Sequence, residues 1–354
     1  MVHLRTLTIL ETLYAWWRNG NPSAGDISSC DLRILSYNGQ QFILDSTGIC
    51  FPDSRGKIKE VEALLITFRC ADMEENSSLY PIVFDNHVHL RKDGFFKDAV
   101  KRFIVSGGNA FNLVNLPDYE IAPSEYYERL YSNTLEIADA VRREFGITVL
   151  VTLGPYPLDY FFFERALIEP AKAMKKGIDV AARFVMEGKA DAIGEVGRPH
   201  FPVSDDILKI SEDIFQYAIM SSKDLGKPVI MHTEDLTEKS HRDLIEFARE
   251  TGMDPRKLVK HHALPADFGI RDQMTLSTLA SRSNVRVAAS SDRDFLLETD
   301  YVDDRSKPDK VIPIDSVPKR AIMIKSEYDD WERILETAFI RMPAFLYGNE
   351  LFNL

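Results

Sequence analysis

Residues 82–96 read IVFDNHVHLRKDGFF, an apolar strand-like run that ends in two histidines one residue apart, His87 and His89. Residues i and i+2 of a strand project to the same face, so the two imidazoles can grip one cation. Neutral imidazole suits Zn, Mn, Ni or Fe, and a carboxylate can bridge two such ions. Further ionisable residues close further apolar runs: Glu195 in ADAIGEVG, His232 in PVIMHTE, His261 or His262 in KLVKHHA, and Asp300 in DFLLETD. Alternation lets only one of His261 and His262 point inward. His261 is the inward one if Val259 faces the interior, and we take that register. Each position alone has an ordinary structural reading: an ion pair for Glu195, a hydrogen-bonded core residue for His232, a cap for Asp300. Together they would crowd many polar groups into one place, which is costly unless a ligand satisfies them. His200 and His241 fall outside these strand ends.

The elements that must position these residues follow a repeating pattern. Apolar runs begin at 81, 109, 147, 190, 228 and 257, and amphipathic stretches near 94–106, 123–145, 161–187, 204–225 and 237–251 follow the first five. That spacing is the period of a βα unit, and buried parallel strands are expected to be apolar throughout. Residues 272–280 supply a seventh strand and 294–300 an eighth. Residues 284–292 fit a helix better than a strand, and a last helix near 328–341 closes the domain. Eight units predict a (β/α)₈ TIM barrel, whose active sites lie at the C-terminal ends of the strands, where the ionisable residues fall. A doubly wound sheet is the alternative; it usually carries a Gly-rich turn after its first strand, where this chain has NHVHLRKDG.

Bulk properties narrow the function. The chain has 354 residues and a net charge of −12, with −1 in residues 1–72 and −11 in residues 73–354. So acidic a surface repels phosphate backbones, and tight non-specific nucleic-acid binding is not expected. A small molecule or a nucleic-acid end remains admissible where metals neutralise phosphate. The three cysteines all precede residue 73, so a metal site beyond that point must use His and carboxylate. No apolar run reaches the ~18 residues of a membrane span and the N-terminus makes a poor signal peptide, so the expected location is the cytoplasm. Residues 1–72 read differently from the rest. LRILSYNGQQFILD pairs two strand-like runs around Asn38-Gly39, a hairpin signal. Either these residues are a small β-rich appendage to a domain over 73–354, or they are upstream sequence read from a mis-assigned start, with Met73 the first residue.

FDNHVHL, GEVGRPHFPVSDD, VIMHTED, VKHHA and FLLETDYVDD resemble, in order and spacing, the TatD-related metal-dependent hydrolases of the amidohydrolase superfamily over about residues 81–348. SGGNAFNLVNLP and DSVPKRA look like the archaeal-type branch. The resemblance implies one or two divalent ions (Zn, Mn or Mg). It implies that His87, His89 and Asp300 bind the first, that His232 and His261 bind the second, and that Glu195 bridges them. It also implies that Asp300 takes a proton from the attacking water, which makes Asp300 and Glu195 the catalytic pair. The implied activity is hydrolysis, with a phosphodiester at a DNA end as the leading substrate. An amide or ester of a small metabolite is the alternative, and a non-catalytic binding barrel the second alternative. The bacterial branch has GLD where this chain has GRP, and HCFSG where it has HHALP. Arg198, directly after the glutamate motif, is therefore expected to bind substrate, because a guanidinium fork grips phosphate or carboxylate. Asp303, Asp304, Arg305, Lys319 and Arg320 read as solvated surface charge.

Overall fold

The computed structural model describes residues 80–348, apart from 305 and 308, together with four strands between residues 33 and 59. The chain divides into two compact units, Met1–Ser77 and Ser78–Leu354. In the first unit β1 (Arg33–Tyr37), β2 (Gln40–Asp45), β3 (Gly48–Pro52) and β4 (Ile58–Lys59) form an antiparallel sheet in sequence order. Tyr37 lies opposite Gln40, the pairing that a two-residue connection gives; the expected Asn38-Gly39 turn itself lies outside the described residues.

The second unit is a ring of parallel strands with helices between them. Its strands are β5 (Phe84–His89), β6 (Ala110–Val114), β7 (Thr148–Leu153), β8 (Ala192–Gly197), β9 (Val229–His232), β10 (Leu258–Lys260), β11 (Thr275–Leu279), β12 (Phe295–Glu298) and β13 (Tyr301–Val302). Each of β5 to β11 pairs with the next in sequence. β12 pairs with β11, while β13, two residues further on, pairs with β5. β12 and β13 are thus two halves of one eighth strand, and they close the (β/α)₈ barrel. The break between them holds Thr299 and Asp300, and Asp300 takes a left-handed conformation at φ 47°.

Local sequence explains most helix starts and stops. Thr237 and Ser240 form a reciprocal capping box at the start of helix Glu238–Thr251. The expected helix over 161–187 is two helices, Asp159–Arg165 and Pro170–Met186. Glu169 caps the second by accepting from the N–H groups of Ala171 and Lys172, and Pro170 suits its first turn, where no N–H partner is needed. The expected final helix is likewise divided. Ser316–Glu327 and Trp331–Glu336 are followed by a π-helical turn at Thr337–Arg341 and by Met342–Tyr347. Residues 282–289 are helical, as their pattern suggests.

The barrel strands are buried on both faces, yet their interior is not uniformly apolar. Asn86 Nδ2 donates to Ser277 Oγ at 3.1 Å, linking β5 to β11, which are not neighbours in the ring. Tyr347 Oη donates to Asn86 Oδ1 at 2.7 Å, Asn112 Nδ2 to the Asn86 carbonyl at 3.0 Å, and Thr152 Oγ1 to Asn112 Oδ1 at 2.9 Å. This closed polar chain departs from the apolar strands expected. It is tolerated because these side chains satisfy one another, and it gives the histidine-bearing end of β5 a fixed support.

Candidate metal centre

The site forms where β5, β8, β9, β10 and the eighth strand end. The pairing of β5 with β6 shifts register between Asp85 and Val88, and His87 and His89 come together at the end of β5. Their Nε2 atoms lie 3.1 Å apart. Asp85, fully buried, accepts from His87 N at 3.1 Å, from Thr299 N at 2.9 Å and from Thr299 Oγ1 at 2.6 Å, so one carboxylate locks the ends of the first and eighth strands together.

Glu195 stands at the centre. Its Oε1 is 2.7 Å from His87 Nε2, 3.7 Å from His89 Nε2 and 3.4 Å from His261 Nε2, while its Oε2 is 3.4 Å from His232 Nδ1. Asp300 Oδ1 is 3.5 Å from His89 Nε2. All six residues expected at the site therefore come together, as two overlapping sets: His87, His89, Glu195 and Asp300, and Glu195, His232 and His261. His261 is the inward member of the histidine pair; His262 has its side chain 43% exposed, with Nδ1 3.9 Å from Asp300 Oδ2.

The electrostatics call for positive charge. Burial, with His261 beside it, pushes the His87 imidazole down to about 4, so it is neutral. Burial also drives the Asp300 carboxyl well above its usual range; His89 opposes this, while Glu195, Glu298 and Asp85 add to it. For Glu195 burial works in the same upward direction, but the imidazoles around it, His87 and His261 foremost, outweigh it and hold the carboxyl well below its usual range. His87 Nδ1, His232 Nδ1 and His261 Nδ1 are buried without a hydrogen-bond partner among the described residues. The His232 atom faces Glu195, where a cation would use its lone pair. His89 Nδ1 meets the Val114 carbonyl at 3.0 Å, which leaves its Nε2 lone pair free toward the cluster. Neutral imidazoles, a shared carboxylate and a second carboxylate are a donor set that fits two divalent ions of the Zn or Mn type.

Other expectations change. Arg198 does not join the cluster. Its guanidinium pairs with Glu212 at 3.0 Å and Glu234 at 3.1 Å, and its N–H donates to the His232 carbonyl at 2.9 Å. Glu195 points into the barrel, so alternation turns the Arg198 side chain outward to helix Asp205–Leu225; the free fork needed to grip a substrate is already engaged. Asp303 is not a surface charge but fully buried, accepting from Arg91 N at 3.2 Å and Phe95 N at 2.8 Å, and it pins the first loop. Lys92 pairs with Glu136. Two residues passed over in the sequence belong here: Glu298, 3.0 Å from His261 Nδ1, and His200, 2.9 Å from His232. For Glu298 the signal was its place two residues before Asp300 on the eighth strand; for His200, lying off a strand end, there was none.

The model of the family described as TatD related DNase matches residues 84–341. Protein MJ1127 of Methanocaldococcus jannaschii is 34% identical over 255 residues, covering 70% of this chain and 90% of that protein. Among solved structures, the TatD homolog YJJV from Escherichia coli K12 superposes with a TM-score of 0.53 at 15% identity, covering 76% of this chain and 99% of that one. The TatD-like protein from Archaeoglobus fulgidus gives 0.50 at 18% identity, covering 74% and 99%. The phosphotriesterase homology protein from Escherichia coli, solved with phosphate in its active site, gives 0.50 at 14%, covering 75% and 98%.

Proposed function

We propose that this chain, which belongs to the TatD related DNase family, is a metal-dependent hydrolase of phosphodiesters at nucleic-acid ends. The observation that carries the reading is the buried Glu195 carboxylate, shared between two sets of ligand atoms. His87, His89, Glu195 and Asp300 would hold one divalent ion, and Glu195, His232 and His261 the other. Two such ions would acidify a water molecule and polarise the scissile P=O.

The protein's own groups do the rest. Asp300 is the more open of the two carboxylates, with its side chain 13% exposed against 7% for Glu195, and it borders the mouth beside His262. With a cation beside it to keep it ionised against burial, it would be the group that accepts the proton of the attacking water as general base. Glu195, held by imidazoles on both oxygens, orients rather than transfers. Phosphate is the substrate group that most needs the site's cations, because the chain carries a net charge of −12 and Arg198 is engaged elsewhere. The related fold of the phosphotriesterase homology protein holds phosphate in its active site, which is consistent with this chemistry.

The test is Mn- or Mg-dependent release of nucleotides from DNA ends, compared with Asp300→Asn. Loss of a general base lowers the rate by about 10²- to 10⁴-fold. No release by the parent protein, or equal release by the variant, rejects the proposal. Hydrolysis of a carboxylic ester panel in place of DNA would favour the small-ester alternative.

A further inference from the structure

His200 lies between the end of β8 and helix Asp205–Leu225, exposed, on a segment that supplies none of the six residues above. Its Nδ1 is 2.9 Å from His232 Nε2, and the rings meet at 67° with centroids 5.1 Å apart. One proton must sit between these two nitrogens. The other nitrogen of His232, Nδ1, is buried, lacks a hydrogen-bond partner and faces Glu195 Oε2 at 3.4 Å. A nitrogen that ligates a cation keeps its lone pair, so the ring proton of His232 belongs on Nε2. His200 Nδ1 is then the acceptor.

The arrangement around the pair enforces this contact. Arg198 starts the segment, its N–H bound to the His232 carbonyl and its guanidinium to Glu212 and Glu234. Both the backbone and the side chain of Arg198 are therefore fixed two residues before His200. The Tyr156 ring also meets His232 edge-on, with centroids 4.8 Å apart. The imidazole of His232 thus touches the rings of both Tyr156 and His200. His89 and His261 have their own outer contacts, to the Val114 carbonyl and the Glu298 carboxylate. Of the cluster's imidazoles, His232 is the one whose outer partner is an exposed side chain.

We propose that His200 is a positioning residue of the second metal position: it accepts a hydrogen bond from His232 Nε2 and so fixes the tautomer and ring orientation with which His232 Nδ1 meets the cation. Arg198, expected to bind substrate, instead anchors the segment that carries His200. The inference rests on the reading that Glu195, His232 and His261 hold a cation.

The experiment is a titration of metal-free protein with zinc or manganese, read by competition with a chromophoric chelator. The parent protein binds two ions. His200→Ala weakens the second by about 10- to 100-fold, the usual effect of removing a ligand's outer partner, and leaves the first unchanged. His200→Asn, whose side-chain oxygen can accept from Nε2–H, restores most of the loss. Two ions bound with unchanged affinity in the Ala variant, or a loss that Asn does not restore, overturns the inference and leaves the two-metal reading standing. A parent protein that binds fewer than two ions rejects that reading and this inference with it. Nitrogen NMR of the zinc-loaded parent protein gives a check independent of variant folding: His232 carries its proton on Nε2, and a proton on Nδ1 overturns the assignment.

Discussion

Histidine occupies both 261 and 262, and the backbone decides between them. β10 ends at Lys260, His261 follows it into the cluster at 3% exposure, and His262 turns left-handed at φ 54° with its N–H donated to Glu298 Oε1 at 2.7 Å. That same oxygen lies 3.0 Å from His261 Nδ1, so Glu298 stands against the ring of one histidine and holds the next by its backbone. His261→Ala should therefore lose one of two bound ions, whereas His262→Ala should keep both; elemental analysis of the purified variants reads this directly. Loss of an ion in the His262 variant alone would reverse the assignment. At this scale the sequence was informative where an ionisable residue closes an apolar run, which is why all six strand-end residues were nameable. It pointed elsewhere for Arg198 and Asp303, read as a substrate grip and a surface charge, and it was silent on a role for His200. A charged or polar residue in a loop looks solvated until the loop's path is known, and here the paths bury Asp303 and engage Arg198 with Glu212 and Glu234.

Between elements, β8 runs close beside β9. The motif GEVG places Gly194 and Gly197 on either side of Glu195, at φ 155° and φ 148°, conformations that L side chains rarely adopt. A Cβ on Gly197 would meet the His232 carbonyl oxygen at 2.3 Å, and that oxygen is the one that accepts from Arg198. Gly197→Ala must therefore push the ends of the two strands apart at the position that delivers His232. The expected cost is about 1–3 kcal/mol of stability, with weaker binding of the second ion and little change at the first. Denaturant unfolding and metal titration measure the two effects, and an unchanged denaturation midpoint would show that the strands can give way. Regular elements were readable because apolar periodicity repeats over many residues. Their interruptions were not: the division of 161–187 rests on the Glu169–Pro170 cap, and the splitting of the eighth strand rests on Asp85 reaching Thr299 from across the ring closure.

Across the whole barrel, the count of βα units was readable from spacing alone, but the bonds that tie the units together come from far apart in sequence and leave no local pattern. His241 is one such tie. Fully buried on helix Glu238–Thr251, it contacts Asp267, in the turn after β10, at 3.0 Å and Asp272, ahead of β11, at 2.6 Å. Asp272 also pairs with Arg293, ahead of β12, at 2.6 Å, so three consecutive units share one network. Burial disfavours the charged imidazole, but the hydrogen bonds and charges of the two aspartates outweigh it and raise His241 from 6.5 to about 9. A group with a folded-state value above its unfolded one adds stability that is fully present below the unfolded value and is lost as pH rises through the folded one. The window is therefore pH 6.5 to about 9, and the shift corresponds to roughly 3 kcal/mol. His241→Gln removes the cation that the two buried carboxylates share and leaves Asp272 with Arg293 alone, so it should be the less stable protein at pH 6. Its deficit relative to the parent should shrink by roughly 3 kcal/mol as pH climbs past the folded value. Urea unfolding of both proteins at matched pH gives the two stability curves. Curves that stay parallel across this range would mean that His241 is neutral in the fold and that the network is held by Arg293 and the aspartates alone.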